Sequence, residues 1–197
     1  MSKIAVVLLN LGGPDSLDAI EPFLYNLFCD PDIFKIPIGQ KFFAKVISSR
    51  RTPNVAEEYE LIGGSSPINE WTEKQRAKLE DMLKDQSDDF DVHIAMRYWN
   101  PITKDVVPKI EQANYDKIIM LPLYPHYSIT TTGSSFNEWN RCYTGDKSKM
   151  IYVHNYYLSE KYIAAINERI DEGLLKFPEE IRNEVQLVFS AHGTPIS

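Results

Sequence analysis

A histidine near the end of the chain is the side chain best suited to acid–base or metal chemistry. His192 follows a short apolar run, Val185 to Phe189, and precedes Gly193 and Pro195. The run predicts a strand buried on both faces of a parallel sheet, and the proline prevents that strand from continuing. A side chain at the C-terminal end of such a strand lies where open α/β sheets bind ligands. An imidazole there can accept a proton near neutral pH, coordinate a metal, or have only a structural role.

Polar side chains also follow the other predicted strands. Asn10 follows 4–9, Arg97 and Tyr98 end the strand predicted over 92–98, Tyr124 and His126 follow 118–123, and Ser190 precedes the histidine. Because the C-terminal ends of parallel strands meet at one edge of a sheet, we expect these groups to converge there. Their convergence favours a ligand site over a purely structural His192.

Helices are predicted between these strands, and a fourth strand over 150–153. The helical segments are 15–28, a short run ending at Tyr59, 68–83, 103–113, 130–143 and 159–175. In the helix over 68–83, the inner face is predicted to carry Trp71, Ala77, Leu79 and Leu83. Alternating strands and helices indicate parallel βαβ units, so the predicted class is α/β, with a Rossmann-like parallel sheet flanked by helices.

The segment 23–47 is unusually apolar and is divided by Pro31 and Pro37. Ordinary packing over the sheet is one interpretation, and an apolar lid over a flat hydrophobic ligand, resting on a membrane surface, is the other. Arg50 and Arg51 follow it. Adjacent guanidinium groups suit a carboxylate or a phosphate, although a solvated surface pair is equally compatible with the sequence.

Bulk properties exclude several classes of protein. The 197 residues carry a net charge of −7, which argues against nucleic-acid binding, and 43% of them are hydrophobic, enough for a globular core. Apolar runs such as 118–123 are far shorter than the ~20 residues of a membrane span. Cys29 and Cys142 are isolated, so neither a zinc site nor a disulfide framework is indicated, and a reducing compartment is expected.

Six short motifs occur in order along the chain. They are LNLGGP at 9–14, RRTP at 50–53, IGGSSPI at 62–68, RY at 97–98, TTGSS at 131–135 and FSAHG at 189–193. Together they resemble the ferrochelatase family, enzymes that insert Fe²⁺ into protoporphyrin IX. The resemblance covers all of this chain, and FSAHG followed by Pro195 is its most specific part.

The resemblance implies a chelatase-like architecture of two similar α/β domains with the porphyrin between them. Residues 1–156 would form the first domain and 157–197 the start of the second, because the family continues beyond its histidine to a glutamate that faces it. The implied activity is a lyase reaction, the last step of haem biosynthesis. The alternative is a non-catalytic porphyrin-binding or vestigial fragment.

The resemblance also implies roles for individual residues. Leu11 would touch a face of the porphyrin; Arg51, Tyr59 and Ser66 would lie near its propionates; Arg97, Tyr98 and Tyr124 would form the inner wall; His192 would act as metal ligand or base. No resident cofactor is expected, and Fe²⁺ is a substrate. Ile129 stands where the animal enzymes carry a cysteine, so no iron–sulfur cluster is expected. The expected location is cytoplasmic, with a peripheral contact at the inner membrane through 23–47 as an option.

Other functions have weaker sequence support. A nucleotide-binding protein could use Gly12 and Gly13, but their spacing is not that of a phosphate-binding loop, and a tight turn accounts for them equally well. A serine hydrolase using Ser190 lacks the GxSxG pattern. His93, His126 and His154 have no His, Asp or Glu partner at helical spacing and are interpreted as structural or peripheral.

Overall fold

A parallel sheet forms the centre of the first part of the protein in the computed structural model, which describes residues 1–190. Its strands are β1 (Lys3–Asn10), β2 (Asp89–Met96), β3 (Lys117–Pro122) and β4 (Met150–Tyr152). They lie in the order β2-β1-β3-β4, and every neighbouring pair is parallel. The predicted fold class, an α/β protein with a parallel sheet flanked by helices, is confirmed.

The strands are connected by α1 (Ile20–Phe28), α2 (Gln40–Glu60), α3 (Ile68–Leu83), α4 (Thr103–Ala113) and α5 (Ser134–Cys142). A further helix, α6 (Glu160–Leu174), follows β4. A π-helical turn, Ile129–Gly133, leads into α5. Among the helices of residues 1–190, none is both long enough and apolar enough to span a membrane.

The two faces of the sheet are covered by different helices. On one face, Val7 and Leu9 of β1 pack with α4 and α5, where Trp139 is completely buried. On the other face, Val6 and Leu8 pack with the apolar side of α3. Both faces of β1 are therefore buried, which explains its continuous apolar sequence.

A third apolar cluster joins α1 and α2 to the polypeptide that leaves the strands. Its buried members include Phe23, Leu24 and Phe28 of α1 and Tyr98, which follows β2. Leu11, which follows β1, and Tyr59 of α2 are partly buried against it. Much of the apolar segment 23–47 thus packs as part of the core near the strand ends.

Helix α2 is longer than the sequence indicated and contains Pro53 in its interior. The proline has no N–H to donate to the preceding turn, which normally shortens or bends a helix. In this turn the Thr52 hydroxyl donates to the carbonyl of Ser48 at 2.8 Å. The RRTP motif therefore lies inside a helix, and the prediction of only a short helical run ending at Tyr59 was wrong.

The inner face of α3 differs from the prediction at two positions, because Trp71 and Ala77 are both exposed. Trp71 is 59% exposed, and the ammonium of Lys74 lies 4.5 Å from its ring centroid. Thr72 is completely buried instead, while Leu79 and Leu83 contact the sheet as expected. Residues 72, 79 and 83 follow the helical period, whereas residue 71 lies one position, about 100° of rotation, away from them.

The chain divides into two compact units, Met1–His154 and the residues from Asn155 onward. In the second unit the described residues form α6 and a 3₁₀ turn, Glu179–Glu184. Residues 185–190 form no strand, and Val188 is 88% exposed. The prediction of a buried strand there was wrong, because a strand needs hydrogen-bonded neighbours and the described residues of this unit contain none.

Candidate functional site

The crevice at the C-terminal edge of the sheet lies where the strand order reverses, between β1 and β3. The chain passes from β1 to β2 on one side and from β2 to β3 across to the other, which is the topology that places ligand sites in open α/β sheets. Asn10 closes β1: its side-chain amide donates to the hydroxyl of buried Thr72 at 2.9 Å, and its Oδ1 accepts the N–H of Leu11. The start of the crevice is therefore rigidly held.

The glycine pair after β1 is packed against the loop that precedes α3. Gly13 exchanges two hydrogen bonds with the side chain of Asn69, at 3.3 and 2.8 Å. The N–H of Ser66 donates to the carbonyl of Pro14 at 2.8 Å. A Cβ at Gly13 would lie 2.5 Å from the Cβ of Ser66, and Gly12 has a φ of +77°. Close packing and backbone conformation therefore account for both glycines.

This packing also weakens the nucleotide-binding alternative. The N–H groups of Leu11 and Gly13 are bonded to the side chains of Asn10 and Asn69. A phosphate-binding turn needs such N–H groups directed at the ligand. The tight-turn interpretation of the GGP sequence is thus the one that the geometry favours.

Several residues predicted to bind the ligand lie around the α1–α2 apolar cluster. Leu11, Tyr59 and Tyr98 belong to it. Arg51 is exposed at its rim, with the guanidinium carbon 6.0 Å from the ring centroid of Phe28. Ser66 joins the group through a hydrogen bond with the Tyr59 side chain. Burial raises the pKa of Tyr59, and the hydrogen bond with Ser66 partly opposes that rise. Segments distant in sequence thus meet at one surface.

Arg97 and Tyr98 are held by a buried carboxylate that sequence reasoning missed. Asp30, 1% exposed, accepts hydrogen bonds from the hydroxyls of Tyr98 and Ser134, each at 2.5 Å. Its other oxygen pairs with Nη2 of Arg97 at 2.9 Å, while Nε of the arginine donates to Ser134 at 2.8 Å. The signal in the sequence was two acidic residues, Asp30 and Asp32, inside the largely apolar segment 23–34.

The electrostatics of this cluster favour a charged aspartate and a neutral tyrosine. Burial alone would raise the pKa of Asp30, but hydrogen bonds from Ser134, Tyr98 and the N–H of Asp32, together with the charge of Arg97, hold it below its ordinary value. Burial, and then the bond to Asp30, raise the pKa of Tyr98 far above that of a free tyrosine. The ion pair therefore persists across the physiological pH range.

Tyr124 lies at the end of β3, and burial raises the pKa of its hydroxyl. Near it in sequence, the TTGSS motif forms the π-helical turn and the start of α5. Thr132 and Ser134 of this motif are completely buried, and the hydroxyl of Ser134 bridges Asp30 and Arg97. The motif thus supports the wall to which Arg97 and Tyr98 belong.

Two clefts in the first unit are lined by other residues. One of about 560 Å³ lies between α1 and α2 and is bordered by Glu21, Tyr25 and Lys45. Another, of about 350 Å³, is lined by aromatic side chains including Phe136, Tyr152 and His154. Neither includes a residue predicted to bind the ligand, so cleft size alone does not mark the predicted site.

Of the histidines considered in the sequence, the structure describes His93 but not His192. His192 lies outside the described residues, so its role stays a prediction. His93 lies within β2, with Nε2 2.8 Å from the hydroxyl of Tyr115, which donates to Asp91 at 2.7 Å. Burial lowers the pKa of His93. Within residues 1–190 no group of three or more His, Cys, Asp or Glu side chains is arranged to hold a metal ion.

The fold defines a class: an open parallel α/β protein whose predicted ligand site lies at the polypeptide that leaves β1, β2 and β3. Comparison with known proteins identifies the family within that class. The ferrochelatase family model matches residues 3–197. The chain belongs to the ferrochelatase family.

Individual relatives agree with this assignment. The chain is 46% identical over 200 residues to the ferrochelatase of Citrifermentans bemidjiense, covering 100% of this chain and 62% of the relative. It is 42% identical to that of Gloeobacter violaceus, covering 99% and 61%, and 44% identical to that of Aquifex aeolicus, covering 98% and 60%. The chain thus spans about 60% of the length of these curated relatives.

Proposed function

We propose that this chain belongs to an enzyme that inserts Fe²⁺ into protoporphyrin IX to form protohaem, a lyase reaction that completes haem synthesis. The observation that carries the proposal is the family match over residues 3–197, because it includes every motif around the crevice. Support also comes from the meeting of Leu11, Tyr59 and Tyr98 in one apolar cluster with a cation at its rim. A large apolar disc bearing two carboxylates requires such a surface.

Each group has a defined part in the proposed reaction. The apolar cluster would take one face of the tetrapyrrole, and Arg51, Tyr59 and Ser66 would bind its propionates. Metal insertion releases two protons from pyrrole nitrogens. An imidazole side chain can accept a proton near neutral pH or coordinate Fe²⁺, and one of these roles is proposed for His192. Fe²⁺ is a substrate here, and we propose no iron–sulfur cluster.

The function is tested by mixing the purified full-length enzyme to which this chain belongs with protoporphyrin IX and Fe²⁺ under anaerobic conditions. Fluorescence quenching measures porphyrin binding, and the change in visible absorbance measures insertion. The proposal expects both signals from the wild type, and from His192→Ala it expects binding within a few-fold but no insertion. Binding without insertion by the wild type would instead support a non-catalytic porphyrin-binding protein. Absence of binding would refute both.

A second experiment tests the orientation of the porphyrin. Arg51→Met should weaken binding of protoporphyrin IX about five-fold, as expected for an exposed ion pair worth up to about 1 kcal/mol. It should not change binding of the dimethyl ester, which has no carboxylates. Arg50→Met is the matched control, because Arg50 is the exposed neighbour on the same helix. An equal loss for acid and ester would contradict a propionate contact.

We also propose a peripheral membrane contact through the residues between α1 and α2 and the first turn of α2. Ile38 and Phe42 are 86% and 68% exposed, and apolar side chains exposed to this extent are suited to an interface with lipid. Flotation with lipid vesicles tests the contact. Ile38→Ser/Phe42→Ser should reduce the bound fraction several-fold, and an unchanged fraction would contradict it.

A further inference from the structure

The buried Asp30 carboxylate is contacted by four donor groups. Oδ2 accepts the hydroxyls of Tyr98 and Ser134, Oδ1 pairs with Nη2 of Arg97 at 2.9 Å, and Oδ1 also accepts the N–H of Asp32 at 2.8 Å. These donors come from the end of β2, from the start of α5 and from the residues that follow α1. One side chain therefore ties together the separate segments around the predicted ligand wall.

The guanidinium of Arg97 is fixed along one side only. Nε donates to Ser134, and Nη2 faces Asp30, with Glu138 further away at 3.7 Å. Among the described residues, Nη1 has no hydrogen-bond partner. Because a guanidinium is planar, holding Nε and Nη2 also determines where the two N–H bonds of Nη1 point.

We propose that Asp30 is a positioning residue of the ligand site, an inference that rests on the proposed porphyrin chemistry. It holds Arg97 and Tyr98 in one arrangement at the C-terminal end of β2. In that arrangement the Nη1 group of Arg97 remains for a polar group of the ligand, and the completely buried ring of Tyr98 supports the apolar cluster from behind. Asp30 itself does not contact the ligand.

Two physical arguments favour positioning over a contribution to stability alone. Removing two opposite charges from water costs roughly as much as their attraction returns, so a buried ion pair adds little stability compared with apolar residues of the same volume. A pair with its hydrogen-bonding groups satisfied does, however, fix the orientation of its members, because any other orientation leaves a buried group unpaired. Arg97 lies at the end of a strand that leads into the crevice, where orientation matters for binding.

The chain supplies a matched control on the same loop. Asp32 lies two residues away and pairs with Arg141 at 2.8 Å and with the amide of Asn137 at 3.0 Å. It has no contact with Arg97. Asp30→Asn and Asp32→Asn therefore remove the same charge from the same segment, and only the first one releases Arg97.

The first measurement requires no ligand. In the full chain labelled with ¹⁵N-arginine, the exchange of the Nε–H of Arg97 with water is followed by NMR, with the Nε–H of Arg76, bound by Glu73 at 2.8 Å, as internal reference. Asp30→Asn should accelerate exchange at Arg97 at least ten-fold and leave Arg76 unchanged. Asp32→Asn should change exchange at Arg97 less than two-fold.

The second measurement is the dissociation constant of protoporphyrin IX, from fluorescence quenching, together with the position of its main visible absorption band. Asp30→Asn should weaken binding at least ten-fold and shift the band, whereas Asp32→Asn should stay within two-fold of the wild type. The band position reports the surroundings of the bound porphyrin, which a general loss of stability does not alter.

The outcomes separate the two proposals. If the wild type does not bind porphyrin, the proposed function fails, and the exchange of Arg97 alone decides whether Asp30 positions it. Wild-type exchange and affinity in Asp30→Asn, or equal effects of Asp30→Asn and Asp32→Asn, would overturn the inference. If Asp30→Asn does not fold, Ser134→Ala replaces it. That variant keeps the ion pair but removes the bridging hydroxyl, and unchanged exchange at Arg97 would overturn the inference.

Discussion

The contact between Gly13 and Ser66 offers a sharp test of how the crevice is built. In Gly13→Ala the new methyl group would lie 2.5 Å from both Cβ and Oγ of Ser66 and 3.0 Å from Cγ2 of Ile68. Since carbon atoms normally approach no closer than about 3.5 Å, one of the two loops must move. Overpacking of this kind costs about 1–3 kcal/mol. In a domain of this size each kcal/mol lowers the thermal midpoint by about 2–4 °C.

The source of that cost can be isolated by a double-mutant cycle. Ser66→Gly removes the two atoms that lie closest to the new methyl group, so Gly13→Ala should be less destabilising in that background by at least about 1 kcal/mol. Urea unfolding followed by circular dichroism gives the four free energies of unfolding. Gly173→Ala is the control, because a Cβ at Gly173 would meet nothing within 4 Å. It should be neutral or stabilising by up to about 1 kcal/mol. Additive losses at residues 13 and 66 would refute the proposed packing.

Three further predictions concern the first unit. Because burial lowers the pKa of His93, the unfolded chain binds a proton at this residue more readily than the folded chain does. The free energy of unfolding should therefore fall as pH decreases below about 6.5. In urea titrations His93→Gln should flatten this dependence on pH, and an unchanged dependence would contradict the prediction. Thr72→Val leaves the buried amide of Asn10 without its acceptor and should cost about 1–3 kcal/mol in the same assay, a loss that a surface role would not produce. Arg76→Ala removes two partly exposed ion pairs on α3 and should cost about 1 kcal/mol or less. The cost should decrease in 1 M salt, whereas a salt-independent loss would show that the ion pairs are not the cause.

The hydrophobic pattern of the sequence predicted most of the helices and strands of the first unit. The bounds of α3 and α4 were correct, because each helix follows a loop ended by proline or isoleucine and carries a regular apolar face. Pro53 misled the prediction of α2, since a proline in a sequence usually indicates a helix boundary. The bonding of Thr52 to Ser48 within that turn is a detail that only coordinates reveal.

The strand prediction over 185–189 failed for a different reason. An apolar run of that length fits a buried strand, but a strand is stable only beside another strand, and pairing is not encoded within the run itself. The prediction of site residues has the same limit, because contacts between distant segments are not visible in the sequence, and Asp30 is an example. Asp30 and Asp32 stand out as acidic residues in a largely apolar segment, yet the partners of Asp30 at residues 97, 98 and 134 are distant along the chain.

Helix α6 buries none of its residues within the described part of the second unit. A helix with no fully buried residue gains little stability from tertiary packing, so we expect α6 to open more readily than the helices of the first unit. Trypsin requires an opened backbone and finds Lys161 and Arg169 within this helix. Brief digestion should therefore cut there first and leave a resistant fragment containing the parallel sheet, whose mass would delimit the part of the chain that keeps its structure unaided.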